Sequence, residues 1–184
     1  MRHRQARHDR HQPLYTPAER ERRDSTVWTL VQGVLAPLQF LVFLVSLILV
    51  LRYLATGTGE TAATVSIVVK TLILYTIMIT GSVWEKVVFG KWLFARPFFW
   101  EDVFSMLVLA LHTAYLGALF TGWLPVRGQM LLALAAYAAY VINATQFLLK
   151  LRAARLQQAR EDAVAARSAQ DTGQAPAQAL GGAE

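Results

Sequence analysis

The stretch from Ser25 to Leu51 reads STVWTLVQGVLAPLQFLVFLVSLILVL and contains no Asp, Glu, Lys or Arg. A helix needs about 20 apolar residues to cross the hydrocarbon core of a bilayer, so this stretch is long enough to span it. Three further stretches are also long and apolar, namely residues 61–84, in which Lys70 is the only charged residue, 103–126 and 128–149. Because a backbone in lipid must satisfy its own hydrogen bonds, each stretch is predicted to be a helix. The sequence therefore predicts an all-α membrane protein, a four-helix transmembrane bundle.

Lys and Arg are distributed unevenly among the segments that flank these stretches. Seven precede the first stretch, five follow the fourth and three lie between the second and third, whereas the other two connections hold only Arg52 and Arg127. Positive residues are retained on the cytoplasmic side of membranes. Both termini and the central connection are therefore predicted to be cytoplasmic. The net charge of +6 is attributed to this topology and to anionic lipid, with no nucleic acid as partner.

The composition divides the chain into three regions. Residues 1–24 are predicted to form a basic cytoplasmic arm with a short amphipathic helix, and residues 25–150 the four-helix transmembrane domain. Residues 151–184 are predicted to form a cytoplasmic helix extension, as far as Arg167, and a disordered tail. Within the arm, Thr16 to Glu19 has the pattern of a capping box with Pro at the first helical position. Cysteine is absent, which excludes disulfides, thiolate nucleophiles and cysteine-ligated metal centres.

Polar residues recur at helical spacing inside the predicted spans. In the first span Gln32, Gln39 and Ser46 share one face, which favours hydrogen bonds to neighbouring helices. One face of the second span carries Thr71, Tyr75, Met78, Ser82 and Glu85, and one face of the third carries Glu101, Ser105, Val108, His112 and Tyr115. Two stripes with matching spacing can face each other across a site, and each has a carboxylate at its cytoplasmic end.

The central connection, residues 81–102, combines three carboxylates with three cations and many aromatic side chains. A carboxyl group pressed against aromatic rings and partly out of water can retain a proton near neutral pH and act as a general acid. Ion pairing with the cations of the connection is the alternative, and the sequence does not decide between the two. Because Asp102 points about 100° away from Glu101 on a helix, Asp102 is expected to pair with these cations.

Three polar side chains are predicted deep in the membrane. His112 lies about 15 Å into the third span at 1.5 Å per residue, and Tyr75 reaches a similar depth from the second. His112 is either hydrogen-bonded to a neighbouring helix, which we favour, or a ligand to a metal or a magnesium tetrapyrrole. Lys70 is expected to extend outward to the headgroups, with a partner inside the bundle as the alternative.

Several segments resemble the 2-vinyl bacteriochlorophyllide hydratase family of purple phototrophs. The most specific are Trp84 to Gly90 (WEKVVFG) and Phe99 to Met106 (FWEDVFSM). Residues 14–17 (LYTP), 28–37 (WTLVQGVLAP) and 135–149 (AAYAAYVINATQFLL) add to the likeness. The resemblance covers roughly residues 13–156, nearly the whole chain without its tails.

The resemblance implies that water adds across the vinyl group of a chlorophyllide or bacteriochlorophyllide to give a 1-hydroxyethyl group. Such an addition needs a proton donor, a positioned water and a flat apolar slot, with no cofactor or protein metal site, since the substrate itself carries magnesium. Glu85 and Glu101 are the predicted catalytic residues, one donating the proton and the other ionised to orient the water. The predicted substrate-binding residues are His112, Tyr75, Ser105, Trp84, Trp100, Lys86, Lys91 and Arg96, the three cations holding the pigment's propionate.

The protein is accordingly expected to be a hydro-lyase in the inner cell membrane or intracytoplasmic membrane of a phototrophic bacterium. Its expected partners are the chlorophyllide substrate, the lipid bilayer and other enzymes of bacteriochlorophyll biosynthesis. The alternative is a non-catalytic protein that binds pigment or assists photosystem assembly, with His112 as a magnesium ligand and the carboxylates structural.

Overall fold

A computed structural model describes the chain from residue 14 to residue 174, and its regular structure in this range is helical. The helices are α1 (Pro17–Ser25), α2 (Val27–Thr56), α3 (Glu60–Phe89), α4 (Phe99–Thr121) and α5 (Val126–Gln174), with one turn of 3-10 helix (Arg96–Phe98) before α4. Residues 1–13 and 175–184, which include parts of the predicted arm and tail, lie outside the described residues.

Four of these helices are long and apolar enough to cross a membrane, and they correspond to the four predicted spans. The prediction of an all-α protein with four helices of membrane-spanning length and apolarity is confirmed over the described residues. The third span ends at Thr121, earlier than the predicted Val126. The reason is Gly122, which adopts the left-handed conformation with φ 67° and whose N–H donates to Ala118 O, a common way to end a helix.

The short helix α1 begins as its sequence pattern predicts. The Thr16 N–H donates to Glu19 Oε2 over 2.8 Å, and the Glu19 N–H donates to Thr16 Oγ1 over 3.3 Å, which completes the capping box. Arg22 Nε donates to Val88 O over 2.9 Å, so α1 is tied to the C-terminal turn of α3. The ring of Tyr15, just before α1, stacks on that of Phe89.

On the polar face of α2, Gln32 and Ser46 make the hydrogen bonds to other helices that the spacing predicts, whereas Oε1 of the buried Gln39 has no hydrogen-bond partner among the described residues. Gln32 Nε2 donates to Thr80 Oγ1 over 2.8 Å. Ser46 Oγ hydrogen-bonds with Ser66 Oγ on α3 and with Tyr137 Oη on α5. These bonds fix α2, α3 and α5 relative to one another, around apolar core residues that include Phe43, Val50, Ile67, Leu74, Val108 and Met130.

Residues 15–146 form one compact unit, which contains α1 to α4 and the first part of α5. The described part of the second unit is residues 147–174, all helical, so α5 continues past Lys150 as far as Gln174. The polar side chains discussed below all belong to the first unit.

Candidate active site

The stripe of residues on α4 is turned into the bundle. Its five members and Asp102 are all buried, namely Glu101, Asp102, Ser105, Val108, His112 and Tyr115. On α3 the two ends of the predicted stripe, Thr71 and Glu85, are buried, and the residues between them are half-buried. The burial of so many polar groups in apolar helices is costly unless each has a partner, which makes their contacts informative.

Three carboxylates meet where α3 ends and α4 begins, and we call Glu85, Glu101 and Asp102 the carboxyl cluster. Glu85 lies near the C-terminus of α3, and the other two lie in the first turn of α4. Their exposed fractions are 5%, 7% and 4%, so all three are almost completely shielded from solvent. The connection between the helices folds back over them, because residues 94 and 95 both bond to the cluster.

Two successive backbone amides of this connection point at the cluster. The Phe94 N–H donates to Asp102 Oδ2 over 2.8 Å, and the Ala95 N–H donates to Glu85 Oε2 over 3.1 Å. Phe94 has φ 59°, the only positive φ at a non-glycine among the described residues. Successive N–H groups in a turn of this kind form a concavity that binds anions. A left-handed conformation costs a bulky residue about 1–3 kcal/mol, so the bonds to the carboxylates offset a local strain.

Glu85 and Asp102 are also in side-chain hydrogen-bond contact with each other. An ionised carboxylate only accepts hydrogen bonds, so a bond between two carboxyl groups needs one proton. The two amides stabilise the negative charge that remains. Glu85 and Asp102 are therefore arranged to share one proton and one charge, the combination needed for one acid and one base. The sequence had instead assigned that partnership to Glu85 and Glu101 and directed Asp102 towards cations.

The cations of the connection lie at the surface of the unit. Lys86, Lys91 and Arg96 are exposed. Lys86 Nζ donates to Gly90 O over 3.0 Å, which caps the C-terminus of α3. A cation at this position also interacts favourably with the negative end of the helix dipole.

Aromatic rings pack beside the carboxyl cluster in two groups. Trp84, Phe89 and Phe98 contact one another, with Trp84 and Phe98 centroids 5.8 Å apart, and Tyr15 contacts Phe89 and Phe98. The Trp84 indole N–H donates to Thr29 Oγ1 over 2.9 Å, which fixes the ring. The predicted binding residue Trp100 is 67% exposed and belongs to the outer group with Phe94 and Phe99. One aromatic group of this region is therefore packed and the other is exposed.

Ser105 and Asn143 lie next to the carboxyl cluster, further along α4 and α5. Ser105 is one turn after Glu101 and Asp102 and accepts a 2.8 Å hydrogen bond from Asn143 Nδ2. Asn143 was not among the site residues predicted from the sequence. Its carbonyl Oδ1 accepts no hydrogen bond from any described residue.

A second group of polar residues lies near the middle of the spans, and we call Lys70, His112, Tyr137 and Tyr140 the mid-span cluster. Lys70 is 0% exposed, so the expectation that it extends to the headgroups is wrong. Its Nζ lies 4.2 Å from the centroid of the Tyr140 ring and 5.8 Å from that of Tyr137. Aromatic faces of α5 surround the ammonium group, which draws the side chain inward by cation–π attraction.

His112 is bonded to its own helix and not to a neighbouring one as expected. Its Nδ1 lies 2.8 Å from Val108 O, and the ring packs against Tyr137 with centroids 5.8 Å apart. Because a carbonyl only accepts, Nδ1 carries the proton and Nε2 keeps a lone pair. Among the described residues, Nε2 has no hydrogen-bond partner.

Tyr75 belongs to neither cluster by its contacts. It is half-buried, and its hydroxyl hydrogen-bonds over 2.9 Å with Thr113 Oγ1, an exposed residue of α4. Because Thr113 follows His112 directly, this bond places Tyr75 at the predicted depth in the membrane. Among the described residues, Tyr75 forms no hydrogen bond with the imidazole.

Comparison with known sequences identifies the family. The family model described as 2-vinyl bacteriochlorophyllide hydratase matches residues 15–153. The chain belongs to this family. A 2-vinyl bacteriochlorophyllide hydratase of Rhodobacter capsulatus is 71% identical over 150 residues, which is 82% of this chain and 87% of the relative. A protein of the same description from Cereibacter sphaeroides is 70% identical over 146 residues, 79% of this chain and 91% of the relative. No solved structure shows a significant match.

The matched range contains both clusters and excludes the tails. The family resemblance inferred from WEKVVFG and FWEDVFSM is therefore confirmed over the whole helical unit. Those two segments hold the three carboxylates and flank the turn whose amides bind Glu85 and Asp102. Phe94, Ala95 and Asp102 were not predicted as site residues. The side-chain pattern of a sequence does not reveal which backbone amides bind a site, so Phe94 and Ala95 could not be predicted. Asp102 could have been inferred only from its position next to Glu101.

Proposed function

We propose that this chain adds water to the vinyl group of a chlorophyllide or bacteriochlorophyllide, giving a 1-hydroxyethyl group in bacteriochlorophyll biosynthesis, and is thus a hydro-lyase. Its membership of the hydratase family supports the reaction. The observation that carries the mechanism is the hydrogen-bond contact between Glu85 and Asp102, each held by one backbone amide. The reaction neither oxidises nor reduces carbon overall, so no redox cofactor is proposed, and the magnesium belongs to the substrate.

The proton shared by Glu85 and Asp102 is transferred to the terminal vinyl carbon. The π electrons form the new C–H bond, and the positive charge on the inner carbon is delocalised into the macrocycle. A water oxygen then attacks the inner carbon, and the water's surplus proton returns to the carboxylate pair. The pair is restored, and vinyl plus water becomes hydroxyethyl. General acid–base catalysis of this kind typically contributes about 10²- to 10⁴-fold.

The surroundings of the pair suit a flat apolar substrate at a membrane boundary. Trp84 and Phe98, which pack edge to face with centroids 5.8 Å apart, are proposed to form one side of the substrate slot. Glu101 is buried in the same turn as Asp102 and stays in the proposed catalytic set. Lys86, Lys91 and Arg96 are exposed at this end of the bundle, where they would attract the pigment's free propionate and keep it at headgroup level.

His112 is proposed to orient the pigment indirectly and not to bind its magnesium during reaction. Ten residues separate His112 from Asp102 on α4, which corresponds to about 15 Å along a straight helix. If the vinyl carbon contacts the carboxylate pair, the magnesium of the same macrocycle lies too far from the imidazole to be bound by it. In addition, the whole His112 side chain is 0% exposed, so its Nε2 is enclosed inside the protein.

The proposed orientation places both termini and the residue 90–98 connection on the cytoplasmic side of an inner membrane, as the distribution of Lys and Arg favours. Reporter fusions after Gly57 and after Gly122, both in short connections between spans, should then report an external location. A fusion at the C-terminus should report a cytoplasmic one. A cytoplasmic signal from either connection would exclude this orientation.

The test of the function is a conversion assay on the whole chain in detergent or lipid nanodiscs. Purified protein mixed with 2-vinyl bacteriochlorophyllide should form the hydroxyethyl pigment, with the gain of one water seen by mass spectrometry. Pigment that binds and is released unchanged would instead support a non-catalytic pigment-binding or assembly protein. Incubation in ¹⁸O-labelled water identifies the oxygen source, because the proposed route places the label in the product.

A further inference from the structure

Two buried amide oxygens on α5 accept no hydrogen bond from any described residue, Asn143 Oδ1 and Gln146 Oε1. Asn143 is only 9% exposed. Residues three positions apart on a helix are neighbours on one face, about 5–6 Å apart at Cβ. An acceptor that is buried without a donor costs about 1–3 kcal/mol, so a pair of them is a strong indication that a donor binds there.

The orientation of Asn143 is fixed from the side of the carboxyl cluster. Its Nδ2 donates to Ser105 Oγ over 2.8 Å, and both side chains are buried. Ser105 follows Asp102 by three positions, so it lies one turn further along the same face of α4. The bond to Ser105 therefore holds the amide of Asn143 one helical turn from the carboxylate pair.

We infer that Asn143, together with Gln146, binds the water molecule that attacks the substrate. This inference rests on the proposed function. A water that donates one hydrogen to each amide oxygen keeps its lone pairs free for the inner vinyl carbon. Neither amide carbonyl is charged, so the amides orient the water without neutralising the cation. The positive charge stays on the macrocycle until the water oxygen attacks it.

The chemical steps separate the tasks of the two groups. The carboxylate pair gives a proton to the terminal carbon and forms the cation. If water attacks, a C–O bond forms and the surplus proton passes to the pair. If water does not attack, the terminal carbon returns one of its protons to the pair and the vinyl group is re-formed. In D₂O this return places deuterium in the vinyl group with no net hydration.

The experiment compares hydration with deuterium exchange at initial rates in D₂O, using whole protein in nanodiscs and 2-vinyl bacteriochlorophyllide. Asn143→Leu preserves the size of the side chain and removes the acceptor, and Gln146→Leu is a second, independent variant. Thr145→Val is the control on the same helix, because Thr145 is exposed and its hydroxyl donates to Val141 O within its own helix. Loss of a positioned reactant can cost about 10²-fold, which is the expected fall in hydration for Asn143→Leu.

The ratio of exchange to hydration decides the result. It should rise in Asn143→Leu and, to a smaller extent, in Gln146→Leu, and stay at the parent value in Thr145→Val. An unchanged ratio in both leucine variants would overturn the water site, whether or not the overall rate falls. Glu85→Gln should lower exchange and hydration together, so exchange at the parent rate in that variant would overturn the proposed acid and leave the result on Asn143 standing.

Discussion

The carboxyl cluster and the mid-span cluster are both buried polar groups among apolar helices, but they are held in different ways. In the carboxyl cluster, Glu85 and Asp102 each accept a backbone N–H and contact each other. In the mid-span cluster, Lys70 Nζ and His112 Nε2 have no hydrogen-bond partner among the described residues and lie against aromatic rings. In the carboxyl cluster the paired acids are both hydrogen-bonded, whereas in the mid-span cluster His112 is bonded only at Nδ1 and the Lys70 ammonium lies against rings.

The difference indicates where the chemistry occurs. Directed hydrogen bonds fix the position and charge of a reacting group, and fixed dipoles cost no reorganisation during reaction. A strained residue such as Phe94 persists only where its surroundings determine its conformation, and such residues concentrate at functional sites. The Lys70 ammonium lacks this support, and the His112 imidazole has it only at Nδ1. We therefore propose that catalysis belongs to the carboxyl cluster and a packing and orienting role to the mid-span cluster.

The largest effect is expected from the carboxylate pair itself. Glu85→Gln and Asp102→Asn each keep shape and hydrogen-bonding capacity but remove the transferable proton. Each should lower the hydration rate by at least about 10²-fold, the lower bound for general acid–base catalysis. The measurement is formation of hydroxyethyl pigment in membranes with equal protein levels. Equality of the two losses would support a shared proton.

The matched control for these variants is Glu60→Gln. Glu60 is an exposed carboxylate in the first turn of α3, at the other end of the same helix. It should retain the parent rate. If Glu85→Gln and Asp102→Asn also retain it, the carboxylate mechanism is wrong and the assignment of catalysis passes to the mid-span cluster.

A somewhat smaller effect is expected from the backbone of Phe94. Phe94→Pro removes the N–H that bonds Asp102 and excludes φ 59°, whereas Phe94→Gly keeps the N–H and adopts positive φ freely. The proline variant should lose about 10²-fold in kcat through misplacement of the pair, and the glycine variant should stay near the parent. The reverse order, with glycine the poorer, would mean that the phenyl ring matters and the amide does not.

These two regions also show what the sequence could and could not predict. The four spans and the inward face of α4 follow from hydrophobic length and helical spacing, because a membrane leaves a helix few alternatives. Asp102 was set aside because adjacent residues on a helix point about 100° apart. That argument left out the returning chain, whose amides at Phe94 and Ala95 bond Asp102 and Glu85. Lys70 was misplaced because the ring faces of Tyr137 and Tyr140 come from a helix distant in sequence.

A moderate effect is expected at His112. His112→Gln keeps an acceptor of similar reach but not the ring that packs on Tyr137. Because His112 lies about 15 Å from Asp102 along α4, proton transfer should survive. KM should rise, and kcat should fall less than for Glu85→Gln. Steady-state kinetics with pigment binding measured in parallel separates the two, and complete loss of turnover with binding intact would make His112 catalytic.

The smallest effect on activity is expected at Lys70, where the informative measurement is the unfolding temperature. The cation–π contact with Tyr140 contributes about 0.5–2 kcal/mol, whereas burying an ammonium costs several kcal/mol. Lys70→Met, which keeps an unbranched apolar chain, should therefore retain activity and unfold at the same temperature as the parent or higher, measured in lipid nanodiscs. Lys70→Ala leaves a cavity and should lower the unfolding temperature, which provides the matched comparison. A Lys70→Met variant that is stable but inactive would contradict the division between the clusters, because a group held only by packing would then be essential to the reaction.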